Sequence, residues 1–312
     1  FVTGICPKCG REARGDQCDD CGTVLEPENL LHPVCAVCGS QVGFRNSRHL
    51  YIAISRLENE LRSLVDNAGG WRKNAVAFTN RYIEEGLRDR ALTRDLEWGI
   101  EVPQEGYEGK TIYIWAENVL GYLSASEYVS KDRGTDLREL WGENAKHYYV
   151  HGKDNIPFHT IILPALLTAN GEGWHLPDQI VSSEYLTLEG RKISTSQNYA
   201  IWVKDIVDRY DPDSIRYYFL ANGPEKKDAD FSWREYVNSH NGELLGAYGN
   251  FVNRSLTFIR KYWNKVVPNG KTDAGIDAEI ENQYRTTGDL IEKGAFKAAL
   301  AGIFEFVRRA NK

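Results

Sequence analysis

The sequence predicts an α/β chain built on a parallel sheet, with a metal-stabilised segment before the sheet and helices after it. Three observations predict this. All six cysteines lie before Gly39, short β-rich apolar runs alternate with helical patterns through the middle, and the last third has helical periodicity throughout.

Residues 1–48 carry glycine and cysteine punctuation and little periodicity, so they hold no core of their own without metal. Cys6 and Cys9 form one C-x2-C knuckle, and Cys18 and Cys21 form a second after eight residues. Four thiolates from two tight knuckles close a tetrahedron around zinc. A full sulfur set leaves no open position, which makes the expected role structural. Paired C-x2-C units favour metal and a reducing compartment over disulfides. Cys35 and Cys38 make a third half-site. It reads either as a pair of free thiols or as half of a second zinc site completed from upstream of Phe1.

From Ser55, the apolar set Leu57, Leu61, Leu64 and Val65 fits one helical face, ended by Gly69-Gly70. Val76, Ile83 and Leu87 mark a second helix over 74–88. Pro103 to Gly109 is turn-rich. Thr111 to Trp115 reads as a buried strand, His147 to His151 as another running into Gly152, and Gln179 to Ser182 as a third. The run from Phe158 to Leu167 is helical. Strands alternating with helices imply a parallel sheet, with ligands at the carboxyl ends of its strands. Beyond Trp202 the helices expected are 203–208, 212–220, 232–240 and 243–262. A linker follows at 268–275, then two more helices over 278–310.

A chain of 312 residues, 42% apolar, buries a real core in several subdomains. Its net charge of −6 argues against a bulk electrostatic coat for nucleic acid, while leaving room for RNA recognition by a few placed groups. No apolar run reaches the roughly 18 residues of a membrane span, and no secretory leader is visible. A cytoplasmic location is therefore expected.

Two stretches carry chemistry. In Gly152-Lys153-Asp154-Asn155-Ile156-Pro157-Phe158-His159, Asp154 follows a strand end and a glycine, where a carboxylate suits a pair of ribose hydroxyls. His159 opens a helix, and taken alone such a residue is more often a satisfied structural histidine. In Glu189-Gly190-Arg191-Lys192-Ile193-Ser194-Thr195-Ser196, a glycine hinge carries a lysine and three short hydroxyl donors. Such a loop is either a solvated turn or a mobile cation that meets negative charge as it grows on a departing pyrophosphate. Trp115 and Tyr122 fit plain core, or the walls of a pocket for a thioether, whose sulfur packs favourably on aromatic rings.

On these residues the chain resembles the methionyl-tRNA synthetases, a branch of the class I aminoacyl-tRNA synthetases. The likeness is carried by six ordered segments: Phe1 to Cys9, Thr93-Arg94-Asp95-Leu96-Glu97-Trp98-Gly99, Trp115 to Tyr122, Gly152 to His159, Lys192 to Ser196, and Gly249-Asn250-Phe251-Val252-Asn253-Arg254. The fifth is similar to the family's KMSKS loop. The resemblance implies the second half of a class I Rossmann-type parallel sheet, with a zinc-knuckle insertion and a C-terminal helical bundle. It implies ATP-dependent activation of methionine, by attack of its carboxylate on the α-phosphorus, and transfer to tRNA(Met). Magnesium accompanies the ATP and zinc is structural.

Carried over by position, Lys192 steadies pyrophosphate and Arg94 sits near the reacting carboxylate. Gly152 and Asp154 hold the ATP ribose, with Ser194 and Ser196 also at the ATP. Trp115, Tyr122, Asn155 and His159 line the methionine pocket. Asn250 and Arg254, four apart on one helical face, contact the anticodon. The implied divisions are 1–48 for the knuckles, 49–108 for the helical remainder of the insertion, 109–202 for the catalytic half, 203–232 for stem contact and 233–312 for part of the anticodon domain.

The chain departs from the pattern at Thr195, where the loop's second lysine is expected, and at Asn118, where the family has alanine. The HIGH motif belongs to a half of the fold that would precede Phe1. Two other readings follow from these departures: a paralogue that acts on another amino acid or acceptor, and a zinc-stabilised RNA-binding fragment without ATP chemistry.

Overall fold

Val2–Ile5 pairs antiparallel with both Glu12–Arg14 and Leu31–Cys35, giving a three-stranded sheet in the cysteine-rich segment where periodicity alone marked no strand. Each strand is at most five residues long, too short for alternation to register. Cys6, Ala13, Cys18, Leu25 and Leu30 form its small core. This computed structural model describes residues 2–15, 18, 20–23, 25–195 and 197–312, leaving aside the side chains of Trp115 and Ala116. The sheet belongs to one compact unit, residues 1–53 with 89–118. Residues 54–88 with 119–312 make a second.

The rest of the first unit is held by two short antiparallel pairs, Tyr51–Ile52 with Arg90–Ala91 and Thr93–Arg94 with Thr111–Ile112. The strand expected over Thr111 to Trp115 stops at Ile112, and Ile114–Glu117 is helical. Its partner strand is only two residues long, and the N–H of Tyr113 goes to the carbonyl of Leu92. With no further ladder to join, the backbone closes its own hydrogen bonds as a helical turn.

In the second unit, Tyr148–Gly152 and Gln179–Ser183 run parallel, in a register that sets Gly152 opposite Ser183. Phe158–Ile162 and Leu163–Asn170 cross over between them. Pro164 has no N–H for the carbonyl of Thr160, and the turn before it widens so that Leu163 N reaches the carbonyl of Phe158. Glu58–Asp66 and Lys73–Glu84 are the two helices expected early in the chain. Leu61, Val65, Ala75 and Ile83 of these helices are buried, as are Ile161, Leu163, Ile180 and Val181 of the crossover and its second strand.

Arg72 ties this layer to the end of the chain: its backbone N–H bonds Ile180 O at 2.9 Å, and its guanidinium bonds Ser182 O at 3.1 Å and Gly294 O at 2.6 Å. Gly294 has φ +64°, and a Cβ there would lie 2.9 Å from Val181, so glycine is needed on both counts. Leu186–Leu188 pairs antiparallel with Arg191–Lys192 and parallel with Ala229–Phe231. Behind it Leu188, Ile206, Ile215, Tyr218, Phe231 and Tyr236 form a second core.

The helices expected at 232–240 and 243–262 are one run. Trp233–Ser239 and Asn250–Tyr262 are joined without a break by a wide-turned stretch, His240–Gly249, which contains Gly242, Gly246 and Gly249. Ala274–Glu292 and Phe296–Ala310 follow. No helix among the described residues is long and apolar enough to cross a membrane.

Candidate functional site

The carboxyl ends of the two parallel strands carry the first group of expected residues. Gly152 leads into a tight turn, Lys153–Asn155, and Asp154 curls back so far that a Cβ on Gly152 would lie 2.7 Å from its Oδ1. Glycine is thus required by close approach. Asp154 itself is exposed and open to a ligand. Lys153 is not free: its Nζ lies 2.8 Å from Glu184 Oε2 and 2.9 Å from Asp228 Oδ1, and 4.1 Å from the ring centre of Tyr185.

One turn on, His159 is buried at 5% exposure. Its Nδ1 bonds the carbonyl of Asn155 at 2.9 Å, so the proton sits there and Nε2 is bare. The Tyr122 hydroxyl donates to that Nε2 at 2.9 Å. Burial pushes the imidazole down to about 4, which keeps it neutral. Tyr149 packs edge-on to Tyr122 at 5.6 Å and lies 5.3 Å from His159. A cleft of about 640 Å³ opens beside Tyr122, Tyr149, Trp141 and His147. Of the expected pocket residues, Tyr122, Asn155 and His159 are therefore brought together. Trp115 lies in the 114–117 helix of the other unit, and its side chain is outside the described residues.

Lys192 sits on a hairpin whose two turn residues, Glu189 and Gly190, both have positive φ, +47° and +74°. That is the turn geometry matching strand twist, and glycine makes it accessible. The hairpin is pinned at its base. Asp230 Oδ1 accepts from Gly190 N at 2.8 Å and Thr187 Oγ1 at 2.5 Å, while Glu189 Oε1 accepts from Trp233 N at 2.9 Å. Lys192 is exposed and Arg191 stacks on Tyr199 at 4.1 Å. Ser194 N and Tyr199 N each bond the other's carbonyl at 2.9 Å, closing the loop. Ser196 lies outside the described residues. Asp228, which holds Lys153, also accepts from Tyr185 N at 2.9 Å, so the glycine turn and the lysine hairpin share one anchor.

Arg94 lies in the first unit. Its guanidinium donates to the carbonyls of Ala91 and Thr93, both at 2.9 Å, and stacks 3.7 Å over Tyr113. The neighbouring carboxylate, Asp95, bonds Lys110 at 2.5 Å and Ser47 at 2.7 Å. Asn250 is exposed at the start of its helix, whereas Arg254 donates to Asn311 O at 2.8 Å and Oδ1 at 2.7 Å. Asn118 is exposed.

The sulfurs of Cys6, Cys9, Cys18 and Cys21 all lie within 4.8 Å of one another, with Cys6 to Cys21 at 3.8 Å and Cys9 to Cys18 at 3.6 Å. A tetrahedron with zinc–sulfur bonds of about 2.3 Å has edges of about 3.8 Å. The donor set and its spacing fit zinc. Each knuckle has the same backbone: the first cysteine's N–H bonds the residue five on, and the glycine after the second cysteine returns to the first cysteine's carbonyl. Cys35 and Cys38 repeat this frame, with Cys35 N to Ser40 O and Gly39 N to Cys35 O both 2.9 Å. Gly10, Gly22 and Gly39 have φ of +74°, +70° and +70°.

Sequence reading passed over Glu184 and Asp228, which no motif marks, and His151, whose ring stacks on His159 with centres 4.3 Å apart. The adjacency of His151 to Gly152 was the available signal for the last.

Comparison with known proteins follows the same lines. The family model described as tRNA synthetases class I (M) matches residues 1–256. Among curated relatives, the methionine–tRNA ligase of Bacillus anthracis is 53% identical over 315 residues, covering 100% of this chain and 58% of that protein. Methionine–tRNA ligase 1 of Alkaliphilus oremlandii is 52% identical over 314 residues, with the same coverage of 100% and 58%. The chain thus spans somewhat over half the length of these relatives. Among solved structures, Mycobacterium tuberculosis methionyl-tRNA synthetase bound by methionyl-adenylate aligns with a TM-score of 0.73 at 22% identity, over 88% of this chain and 54% of that one. Its apo form aligns at 0.72 and 20%, over 98% and 58%. At these identities the likeness is one of fold.

Proposed function

This chain belongs to the tRNA synthetases class I (M) family, and on that premise we propose that, within the longer polypeptide its relatives have, it activates methionine with ATP and charges tRNA(Met). The observation that carries the reading is the Tyr122–His159 pair, one turn beyond the Gly152–Asp154 bend at the carboxyl ends of two parallel strands. Ligands of open α/β sheets sit at such ends.

In this reading Asp154 accepts the two ribose hydroxyls of ATP, and Gly152 lets the nucleotide approach the backbone. Tyr122, Asn155 and His159 line the methionine side chain, and the family pattern gives Trp115 a part in holding it. A neutral His159 suits this role, because a charged imidazole beside a thioether would have to be desolvated. Lys192, exposed on its pinned hairpin, meets the charge that grows on pyrophosphate. By family position, Ser194 and Ser196 also serve the ATP, and Arg94 the reacting carboxylate. Magnesium bound with ATP would neutralise phosphate charge. No covalent enzyme intermediate is needed, and positioning with electrostatics supplies the acceleration.

Cys6, Cys9, Cys18 and Cys21 would hold structural zinc, and Cys35 with Cys38 half of a further site. Asn250 and Arg254 would read the anticodon once Arg254 leaves Asn311. The five divisions at 48, 108, 202 and 232 follow from the same family reading, as does a cytoplasmic location.

Amino-acid-dependent ATP–pyrophosphate exchange on the intact polypeptide tests the reading. Exchange with methionine, and not with leucine, isoleucine or glutamine, is the expected result. Exchange driven by a different amino acid would reassign the substrate, and tRNA binding with no exchange at all would favour a non-catalytic RNA-binding role.

A further inference from the structure

Next to His159 stands a second imidazole whose presence packing does not explain. His151 precedes Gly152 on the 148–152 strand, and its ring lies nearly parallel to that of His159, at 17° and 4.3 Å between centres. Its Nδ1 donates to the carbonyl of Gly152 at 2.9 Å, which leaves Nε2 bare. That Nε2 is shut off from solvent and has no hydrogen-bond partner among the described residues. A buried acceptor left unpaired destabilises the fold, because it gives up its water without a replacement. Valine would fill a strand position here without that cost, so the orphan atom asks for a reason beyond volume.

We propose that His151 is a positioning residue: stacked on His159, it holds in place and keeps neutral the ring whose Nε2 receives the Tyr122 hydroxyl. The inference rests on the reading of Tyr122 and His159 as pocket residues. While His159 is neutral, the Tyr122 proton is committed to Nε2, and the phenol oxygen offers the pocket only lone pairs. A proton on Nε2 would reverse this. The imidazolium would donate to the phenol oxygen, and the Tyr122 O–H would swing free as a donor, so the polarity of the pocket wall at that atom would invert.

The stacked ring opposes that change in two ways. It excludes water from one face of His159, and, once charged itself, it repels a second proton. Burial lowers both imidazoles, and His151 contributes further to the lowering of His159. The titratable groups facing the pair are Tyr122 from the 121–133 helix, Tyr149 from the same strand, and Asp154 from the following turn. Asp154 favours charge on His151, so a first proton is drawn there and away from His159.

The test is ring nitrogen NMR against pH on this chain and on His151→Val and His151→Phe. Wild-type His159 should show one protonated and one bare nitrogen. Both variants should raise its midpoint by about half a unit or more. The shift should be larger in His151→Val, because phenylalanine keeps the stacked face, while the Asn155 carbonyl holds the tautomer in both. In the intact polypeptide, His151→Val should raise the KM for methionine about tenfold with kcat unchanged. An unchanged His159 midpoint in both variants, or in His151→Phe if the valine variant does not fold, would overturn the proposal. If wild type fails to activate methionine, the functional reading falls while the ring spectra still decide His151.

Discussion

Lys153 and Glu184 form a largely buried ion pair, Nζ to Oε2 2.8 Å, that joins the bend after one parallel strand to the end of the other. The same ammonium reaches Asp228 at 2.9 Å, just before the strand that pairs with the lysine hairpin. The side chains are 27% and 16% exposed, so the pair is screened less than a surface bridge and keeps part of its desolvation cost. Its work is positional: it fixes the turn from which Asp154 projects.

A double-mutant cycle of Lys153→Ala and Glu184→Gln should therefore show coupling of about 1 kcal/mol in unfolding free energy. Lys153→Ala should cost more than the pair is worth, because it strands the largely buried Glu184 carboxylate, whereas in Glu184→Gln the ammonium keeps Asp228. Additive effects in denaturant unfolding would mean that the contact contributes nothing.

This pair also shows where sequence reading stops. The cysteine knuckles were legible because only two residues separate the ligands of each pair and their order is the motif. Gly152, Asp154 and His159 were legible because a strand end, a bend and a helix start follow one another locally. Glu184 and Asp228 are far from Lys153 in sequence, and no spacing announces them. Arg254 was placed with Asn250 by helical period, yet its guanidinium is taken by Asn311, 57 residues on. The strand foreseen through Trp115 failed for the same reason: propensity favoured it, but the available ladder ended at Ile112.

Asp95 gives a pH prediction. The Lys110 ammonium at 2.5 Å and the Ser47 hydroxyl at 2.7 Å hold its carboxyl down at about 2. A carboxyl depressed in the folded state stabilises fully above its unfolded value near 3.9 and loses that contribution as pH falls toward its folded value. The window is therefore between about pH 4 and 2. Because Asp95 is 35% exposed, solvent screens the pair, and the contribution should be no more than about 1 kcal/mol. Lys110→Ala should bring the Asp95 midpoint, followed by carboxyl NMR, back toward 3.9, and a midpoint that stays put would discharge Lys110.

Zinc removal should unfold the knuckle segment. Among the described residues its buried core is five, two of them cysteine, which is too little apolar surface to hold 1–48 folded. Metal analysis should return one zinc per chain, lost in Cys9→Ser and in Cys18→Ser and kept in Cys38→Ser. Chelation should abolish the dispersed NMR signals of the Val2–Cys35 sheet while the 148–183 strands keep theirs. Two zinc ions on a polypeptide extended upstream would assign Cys35 and Cys38 to a further site, and one would leave them as free thiols. Retention of the sheet signals after full chelation would show that metal does not hold this segment.

In the proposed role, Lys192 acts on chemistry and not on binding. Its side chain is exposed on a hairpin whose base is fixed by Asp230 and Glu189, so it is free to swing while its root is not. A cation held this way gains little from a ground state in which pyrophosphate has not begun to leave, and most from the transition state in which it has. Removing one such donor from a preorganised site typically slows the chemical step by about 10²–10³. Thr195 supplies no second charge in this loop, and the neighbouring Arg191 is stacked on Tyr199. Lys192→Ala in the intact polypeptide should therefore lower the burst rate of adenylate formation about a hundredfold, with the methionine dissociation constant changed less than about threefold. A loss shared equally between the two would place Lys192 in ground-state binding, and an unchanged burst would remove it from the reaction.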